Sequence, residues 1–364
     1  MTAAGAPEAK GAYPKTLNRQ IHGLRGFSAL AVYVFHVYGM ATLWGFWPNA
    51  LEPFKWFFIA GRHGVEIFFA ISGYLITASL IRHGDARRFL IDRCIRIYPV
   101  FLTIHVLVFA VGPVIGYKWM AGIRPLDWVL NFISNALFLP GIFHLPLAQL
   151  NAATLSYEAA FYLFSAAAFV AARRGGRRPT AVAVVLLLIP IFIIYHKTVF
   201  FLVGALVHFI ATRGQPKIPP ILRAVSIPAL ILCLGLLAAS EVGPIFLIHI
   251  AALPGFVFFW SIVDGRCALS AILRTRPLQY LGTVSYSFYL WAPVVTYPMK
   301  ILVLRLFRDR THDLAVVVLF GLVGLAVSLL VAEASYRILE DGAGKLLHRR
   351  LAARQAPNAV GQPA

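Results

Sequence analysis

The chain of 364 residues is 60% hydrophobic and only 13% charged, with a mean hydropathy of +0.77, whereas soluble domains carry about a quarter charged residues. These proportions exclude a water-soluble globular enzyme. The net charge of +19 would suggest a nucleic-acid partner in a soluble protein, but here the basic residues flank hydrophobic runs, so they point to membrane topology and not to nucleic acid.

In chain order, the first 20 residues are polar and rich in Ala, Gly, Pro and Lys. No small-residue cleavage pattern follows the first apolar run, so that run is expected to stay as an anchor. Candidate spans follow at 22–44, 57–81, 98–117, 155–172, 181–196, 198–212, 224–240, 244–263, 280–303 and 314–337, each long enough to cross all or most of a bilayer as helix. Stretches such as 181–194 are apolar on every side, which excludes the alternating pattern of a membrane β-barrel. The expected fold class is an all-α polytopic integral membrane protein of about ten transmembrane helices with both termini in the cytoplasm. Its parts are an N-terminal tail over 1–20, a membrane domain over 21–340 and a C-terminal tail over 341–364.

This orientation leaves nine of the 33 Lys and Arg residues outside, among them Lys118, Arg124, Lys197, Arg308 and Arg310. Inside lie Arg87, Arg88, Arg93 and Arg96 in one loop and Arg173, Arg174, Arg177 and Arg178 in another, as the positive-inside bias requires. The long outer connection 118–154 contains an apolar stretch, Trp128 to Leu139, too short to span. It reads as an interfacial or re-entrant piece over a cavity that opens outward. Cys94, Cys233 and Cys267 have neither disulfide nor zinc spacing, so no metal is expected.

Ionisable residues within spans are functional candidates because lipid penalises them. They are Arg25, His36, Glu66, Glu158 and Glu333. Arg25 and His36 are 11 residues apart, about three helical turns and roughly 16 Å of rise, so they share one side of a helix. One face then offers an anion clamp near the surface and an imidazole at depth, although a snorkelling Arg25 and a structural His36 would give the same spacing. Helical rise puts Glu66 and Glu158 at outer-half depths near that of His36, where either carboxylate could orient the ring or simply tie helices together. Arg93 and Arg96 fall on one helical face, a spacing that suits phosphate or pyrophosphate and equally suits topology-setting charge.

Five blocks in order carry a resemblance: Leu24-Arg25-Gly26-Phe27 through His36; Gly64-Val65-Glu66-Ile67-Phe68-Phe69 through Ser72-Gly73-Tyr74; Arg93-x-x-Arg96-Ile97-Tyr98-Pro99; Leu155-Ser156-x-Glu158-x-x-Phe161-Tyr162; and Leu281-Gly282 through Trp291. Together they resemble acyltransferase family 3, the membrane-bound O-acyltransferases. The resemblance implies transfer of an acyl group, often acetyl, from cytoplasmic acyl-CoA to a sugar hydroxyl of an extracytoplasmic or lipid-linked glycan. It implies acyl-CoA as donor substrate with no tightly bound cofactor, and a bacterial cytoplasmic (inner) membrane as location. Arg25, Arg93 and Arg96 would hold the donor. His36 would be general base or transient acyl acceptor, oriented by Glu66 or Glu158.

Two departures stand out: Ala292-Pro293 where the family commonly has His after the late Trp, and Glu340-Asp341-Gly342 in place of Glu-Arg-Pro. The Gly61 to Glu66 form is similar to that of members acting on exopolysaccharide, and the family's acceptors also include lipopolysaccharide O-antigen. The competing class is a transporter or flippase of a glycan or lipid-linked intermediate. Paired broken helices in two halves would favour it, and Pro113, Pro190, Pro254 and Pro293 do not recur in that way.

Overall fold

The computed structural model describes residues 18–173, 179–212, 219–307 and 313–355. Among them there are helices and no strands. Most of the expected tail 1–20, together with Arg174, Arg177, Arg178, Arg308, Arg310 and residues 356–364, lies outside the described residues.

The long helices are α1 (Arg19–Leu43), α2 (Gly64–His83), α3 (Ala86–Ile115), the shorter α4 (Pro125–Ala136), α5 (Ala152–Arg173), α6 (Pro179–Ile194), α7 (Val199–Thr212), α8 (Ser226–Ser240), α9 (Leu247–Asp264), α10 (Arg276–Leu306) and α11 (Leu314–Ser335). A π-helical turn, Tyr336–Gly342, joins α11 to α12 (Ala343–Gln355). Among the described residues, seven helical stretches are long and apolar enough to cross a membrane by length and composition, and two more, His196–Thr212 and Ser226–Ser240, are apolar but shorter. The chain is therefore an all-α polytopic membrane protein. Leu, Ile and Val side chains exposed along α3, α7, α8 and α11 are what a lipid-facing surface requires.

Local chemistry sets the helix ends. Asn18 caps α1 by accepting from the Gln20 backbone N–H at 3.0 Å, and Asp85 caps α3 by accepting from that of Arg88 at 3.0 Å. Gly84 closes α2 at φ 62°, a left-handed conformation that favours glycine. Arg173 donates to the Gly84 carbonyl at 2.5 Å, Gln279 to that of Arg19 at 2.7 Å and Asn18 to that of Val263 at 2.7 Å. The starts of α1, α3 and α10 and the ends of α2, α5 and α9 thus share one end, here called the basic end.

Small residues let the central helices approach closely. A Cβ at Gly26 of α1 would strike the Leu278 carbonyl of α10, and one at Gly204 of α7 would strike that of Ala70 on α2. Such small-residue contacts supply packing where lipid removes the hydrophobic drive between helices.

Three expectations need correction. Residues 87–96 are not a loop, because α3 begins at Ala86: the Asp85 cap starts the helix a dozen residues before the apolar run. The C-terminal segment after 340 does not begin as a tail but continues as α12, supported by Lys345 pairing with Asp341 at 2.6 Å at the i, i+4 spacing. Glu333 is not buried in the bundle; it pairs with Arg337 at 2.5 Å on the helix surface.

The connection 118–154 contains the amphipathic α4, whose Leu126, Val129, Leu130 and Ile133 are exposed. Trp128 Nε1 donates to the Phe109 carbonyl at 3.1 Å, and Asn135 donates to the Pro146 carbonyl and accepts from the Ala148 N–H. This helix lies against the bundle and delivers Asn151 to the start of α5.

Candidate active site

A partly open cavity lies between α1, α2, α3, α5 and α10. Each helix contributes a stripe at helical spacing: Val65, Phe68, Ser72, Leu75 and Ile76 from α2, Leu155, Glu158 and Tyr162 from α5, and Ser285, Tyr286 and Tyr289 from α10. Arg25 of α1 and Arg93 and Arg96 of α3 all line it. The structure thus brings Arg25 together with Arg93 and Arg96, which lie on a different helix and far from it in sequence.

Arg93 donates to Ser79 Oγ at 2.7 Å and stacks over the rings of Phe89 and Tyr162, at 5.3 and 6.0 Å from their centroids. The Tyr162 hydroxyl donates to Glu158 Oε1 at 2.5 Å, and the same oxygen accepts from Ser72 at 3.1 Å. Glu158 is the one acidic side chain on the cavity wall. This chain of contacts fixes the Arg93 guanidinium and the Glu158 carboxylate on facing helices.

At the other end the lining is neutral. The Tyr289 hydroxyl shares a hydrogen bond with Thr154 Oγ1 at 2.9 Å, and Thr154 donates to the Asn151 carbonyl at 2.7 Å. The Asn151 amide donates to the Tyr289 carbonyl and lies near enough to the His36 ring to act on it. His36 Nε2 is buried with no hydrogen-bond partner. An imidazole nitrogen left open while a neighbouring amide holds the ring can accept a proton from an incoming hydroxyl.

Neither expected carboxylate pairs with His36 among the described residues. Glu158 is engaged by Ser72 and Tyr162. Glu66 sits on a different face of α2, where Oε1 pairs with Lys197 at 3.2 Å and His63 Nδ1 at 3.5 Å. Lys197 and Arg62 in turn pair with Glu241 at 3.0 and 3.1 Å. The physical reason is periodicity: Glu66 is one residue past Val65, about 100° around the helix, and lines a separate apolar pocket with Phe200, Cys233 and Phe259. The His63-x-x-Glu66 spacing was the sequence signal for that pair. Asn151 had no comparable signal, because its place beside His36 depends on the fold of the preceding loop.

Glu340, which the sequence offered only as part of an altered motif, is not among the expected site residues. It is buried, accepts from Ser287 Oγ at 3.2 Å, and faces the charges of Arg96 and Arg25. Seven residues separate it from Glu333, nearly two α-helical turns, so a regular helix would place it on the same outer face. The π turn adds a residue and rotates it inward beneath Ser335, which donates to Ser287 Oγ at 3.4 Å.

The cavity wall carries the guanidinium groups of Arg25, Arg93 and Arg96 and the hydroxyls of Thr154, Tyr162 and Tyr289, while Asn151, bonded to the Tyr289 carbonyl, and His36 stand behind that wall and not among its lining residues. The site suits a linear substrate with an anionic tail and a neutral reactive head.

The family model described as "Acyltransferase domain" matches residues 18–333, and the chain belongs to that acyltransferase family. It is 25% identical over 377 aligned positions to "Peptidoglycan O-acetyltransferase OatA" of Listeria monocytogenes serovar 1/2a, an alignment covering 90% of this chain and 56% of the relative. It is also 36% identical over 92 residues to "Nodulation protein 10" of Rhizobium leguminosarum bv. viciae, covering 24% of this chain and 23% of the relative. The chain thus spans little more than half the length of the first of these. No solved structure matches the chain.

Proposed function

We propose that the protein is a membrane O-acyltransferase that takes an acyl group, acetyl in the simplest case, from acyl-CoA and delivers it to a sugar hydroxyl of an extracytoplasmic or lipid-linked glycan. The observation that supports this reading is the cavity itself, lined by Arg25, Arg93 and Arg96, together with a buried His36 Nε2 that has no hydrogen-bond partner. The diphosphate and 3′-phosphate of CoA match clustered guanidinium groups. The 11 residues from Arg25 to His36 rise roughly 16 Å, a span that suits an extended pantetheine arm. Family membership favours a transferase over a transporter or flippase.

In the proposed reaction the acceptor hydroxyl gives its proton to His36 Nε2 as its oxygen bonds to the thioester carbonyl carbon. The carbon–sulfur bond then breaks, and the proton passes to the departing CoA thiolate. If His36 instead carries the acyl group transiently, an Nε2–carbon bond forms as the carbon–sulfur bond breaks, and that bond breaks in turn as the acceptor oxygen bonds to the same carbon, the acceptor's proton ending on the CoA thiolate. Asn151 holds the ring, Glu158 fixes the wall opposite Arg93 through Tyr162, and the Glu66 network ties α2 to α7 and α8. The arginine-rich end faces the cytoplasm and the outer connection faces away from it, in a bacterial inner membrane, as the basic-residue bias supports.

The test is label transfer. The full chain in proteoliposomes is incubated with acetyl-CoA radiolabelled in the acetyl group, with and without peptidoglycan fragments or exopolysaccharide. Acceptor-dependent appearance of ester-linked label in the glycan is the expected result. Donor binding without any label movement across the candidate acceptors, or no donor binding, contradicts it.

A further inference from the structure

We infer that Tyr289 is a specificity-determining residue for the donor: its hydroxyl oxygen, held as a hydrogen-bond acceptor on the cavity wall, takes the N–H of the pantetheine amide nearest the thioester. The inference rests on the acyl-CoA reading above and adds to it the group by which the site tells a pantetheine arm from another chain of the same shape.

Proton counting is the first argument. A serine, threonine or tyrosine hydroxyl has one proton to give and lone pairs that accept. Six such hydroxyls belong to residues that line the cavity: Ser72, Thr154, Tyr162, Ser285, Tyr286 and Tyr289. Ser72 and Tyr162 both donate to Glu158 Oε1. Ser285 donates to the Gly282 carbonyl at 2.9 Å and Tyr286 to the Ile97 carbonyl at 2.8 Å. The Thr154 proton goes to the Asn151 carbonyl at 2.7 Å. Thr154 therefore has none left for its 2.9 Å contact with the Tyr289 hydroxyl, and in that pair the tyrosine is the donor. All six protons are spent inside the protein, so what these groups keep for a ligand is acceptor capacity.

Position is the second. Ser285 is 0% exposed and Tyr162 6%, whereas Ser72, Thr154, Tyr286 and Tyr289 retain part of their surface. Tyr289 lies three residues after Tyr286 on α10, almost one turn farther from the basic end on the same face. Phe68 of α2 packs against its ring, with centroids 5.8 Å apart, and Thr154 holds its hydroxyl. With the phosphates of an acyl-CoA on the arginines, the amide next to the thioester is the one that reaches farthest from the basic end, which matches it to Tyr289.

Chemistry is the third. A buried N–H without a partner is tolerated less readily than a carbonyl, which has two lone pairs and can leave one unused. A wall of acceptors therefore favours a chain that brings donors, and a pantetheine arm brings two amide N–H groups. A chain of the same shape with oxygen in place of nitrogen would set two acceptors against each other. Sites built around such a hydrogen bond discriminate strongly against an analogue that lacks it.

The test is a ratio of affinities. In the full chain in nanodiscs, binding of acetyl-CoA is compared with that of an analogue carrying an ester oxygen in place of the amide nitrogen nearest the thioester. The native chain is expected to bind the amide about tenfold more tightly than the ester. In Tyr289→Phe the affinity for the amide should fall to that for the ester, giving a ratio of about one. Thr154→Val frees the Tyr289 proton to meet the ester oxygen, so it should also lower the ratio, and it serves if the Phe variant does not fold. A tyrosine that only supports the fold would lose both ligands equally and keep the ratio. Equal native affinities for the two ligands, or a folded variant of either kind with the native ratio, overturns the role of Tyr289 and leaves the donor reading standing. An unchanged ratio in Tyr289→Phe with a raised KM for the glycan would assign the oxygen to the acceptor's hydroxyl, and overturns it as well. A native chain that binds neither ligand refutes the donor reading, and the role of Tyr289 falls with it.

Discussion

Asn151 donates its side-chain amide to the backbone carbonyl of Tyr289, which pins the end of the connection between α3 and α5 to the middle of α10. The same amide neighbours the His36 ring, so the residue that ties this connection to α10 is also placed to orient the proposed base. Asn151→Ala is expected to lower acyl transfer by roughly 10²-fold, within the range of general acid–base contributions. CoA affinity should stay near native, because the arginines are untouched. Parallel binding and turnover measurements check this, and equal losses in both would instead indicate a displaced α5.

Glu66 is expected to matter for stability. It is 1% exposed and paired with Lys197 and His63, and removing one partner of a buried pair costs about 3–5 kcal/mol. Glu66→Gln should lower the unfolding midpoint in detergent by several degrees while the folded fraction binds CoA as the native chain does. A variant of native stability that fails in transfer would move Glu66 from the helix network to the reaction.

How far the sequence made this legible depends on periodicity. The helices fall close to the ten apolar blocks because hydrophobic length is a local property. Arg93 and Arg96 share a face and meet Arg25 because a three-residue spacing survives in any helix. The pairing of His36 with a carboxylate did not survive, since depth along a helix says nothing about rotation: Glu66 has a suitable height and the wrong azimuth. Glu340 escaped for the opposite reason, because a π turn breaks the period on which the reading relied. Asn151 was hidden in a loop whose path is set by tertiary contacts.

Arg25→Ala is expected to weaken CoA binding by roughly tenfold or more, the cost of a charge-assisted phosphate contact. The loss should shrink in high salt only modestly, because the group lies inside the bundle and is screened less than a surface charge. Isothermal titration at two ionic strengths measures both. Native affinity for CoA in this variant would remove Arg25 from the donor site.

Lys118, in the connection between α3 and α5, is exposed as a residue, but its ammonium donates to the Leu147 and Ala148 carbonyls at 3.2 Å each, and the desolvation of that ammonium pushes it down to about 8. In the unfolded chain it recovers the ordinary lysine value. Between these values the unfolded state binds more protons, so this group makes stability rise as pH increases from about 8 toward the lysine range. Denaturation midpoints of the native chain and Lys118→Gln, compared across that window, should diverge in favour of the native chain as pH increases. Parallel curves would contradict the desolvation of the charge.

The most direct test of the central claim is the behaviour of His36→Ala in proteoliposomes, with CoA affinity and acetyl transfer to glycan measured on the same preparation. The account predicts native-like CoA binding with transfer reduced by about 10²–10⁴-fold, since the phosphates are held by the cavity arginines. Transfer at the native rate by a well-folded His36→Ala protein would contradict it.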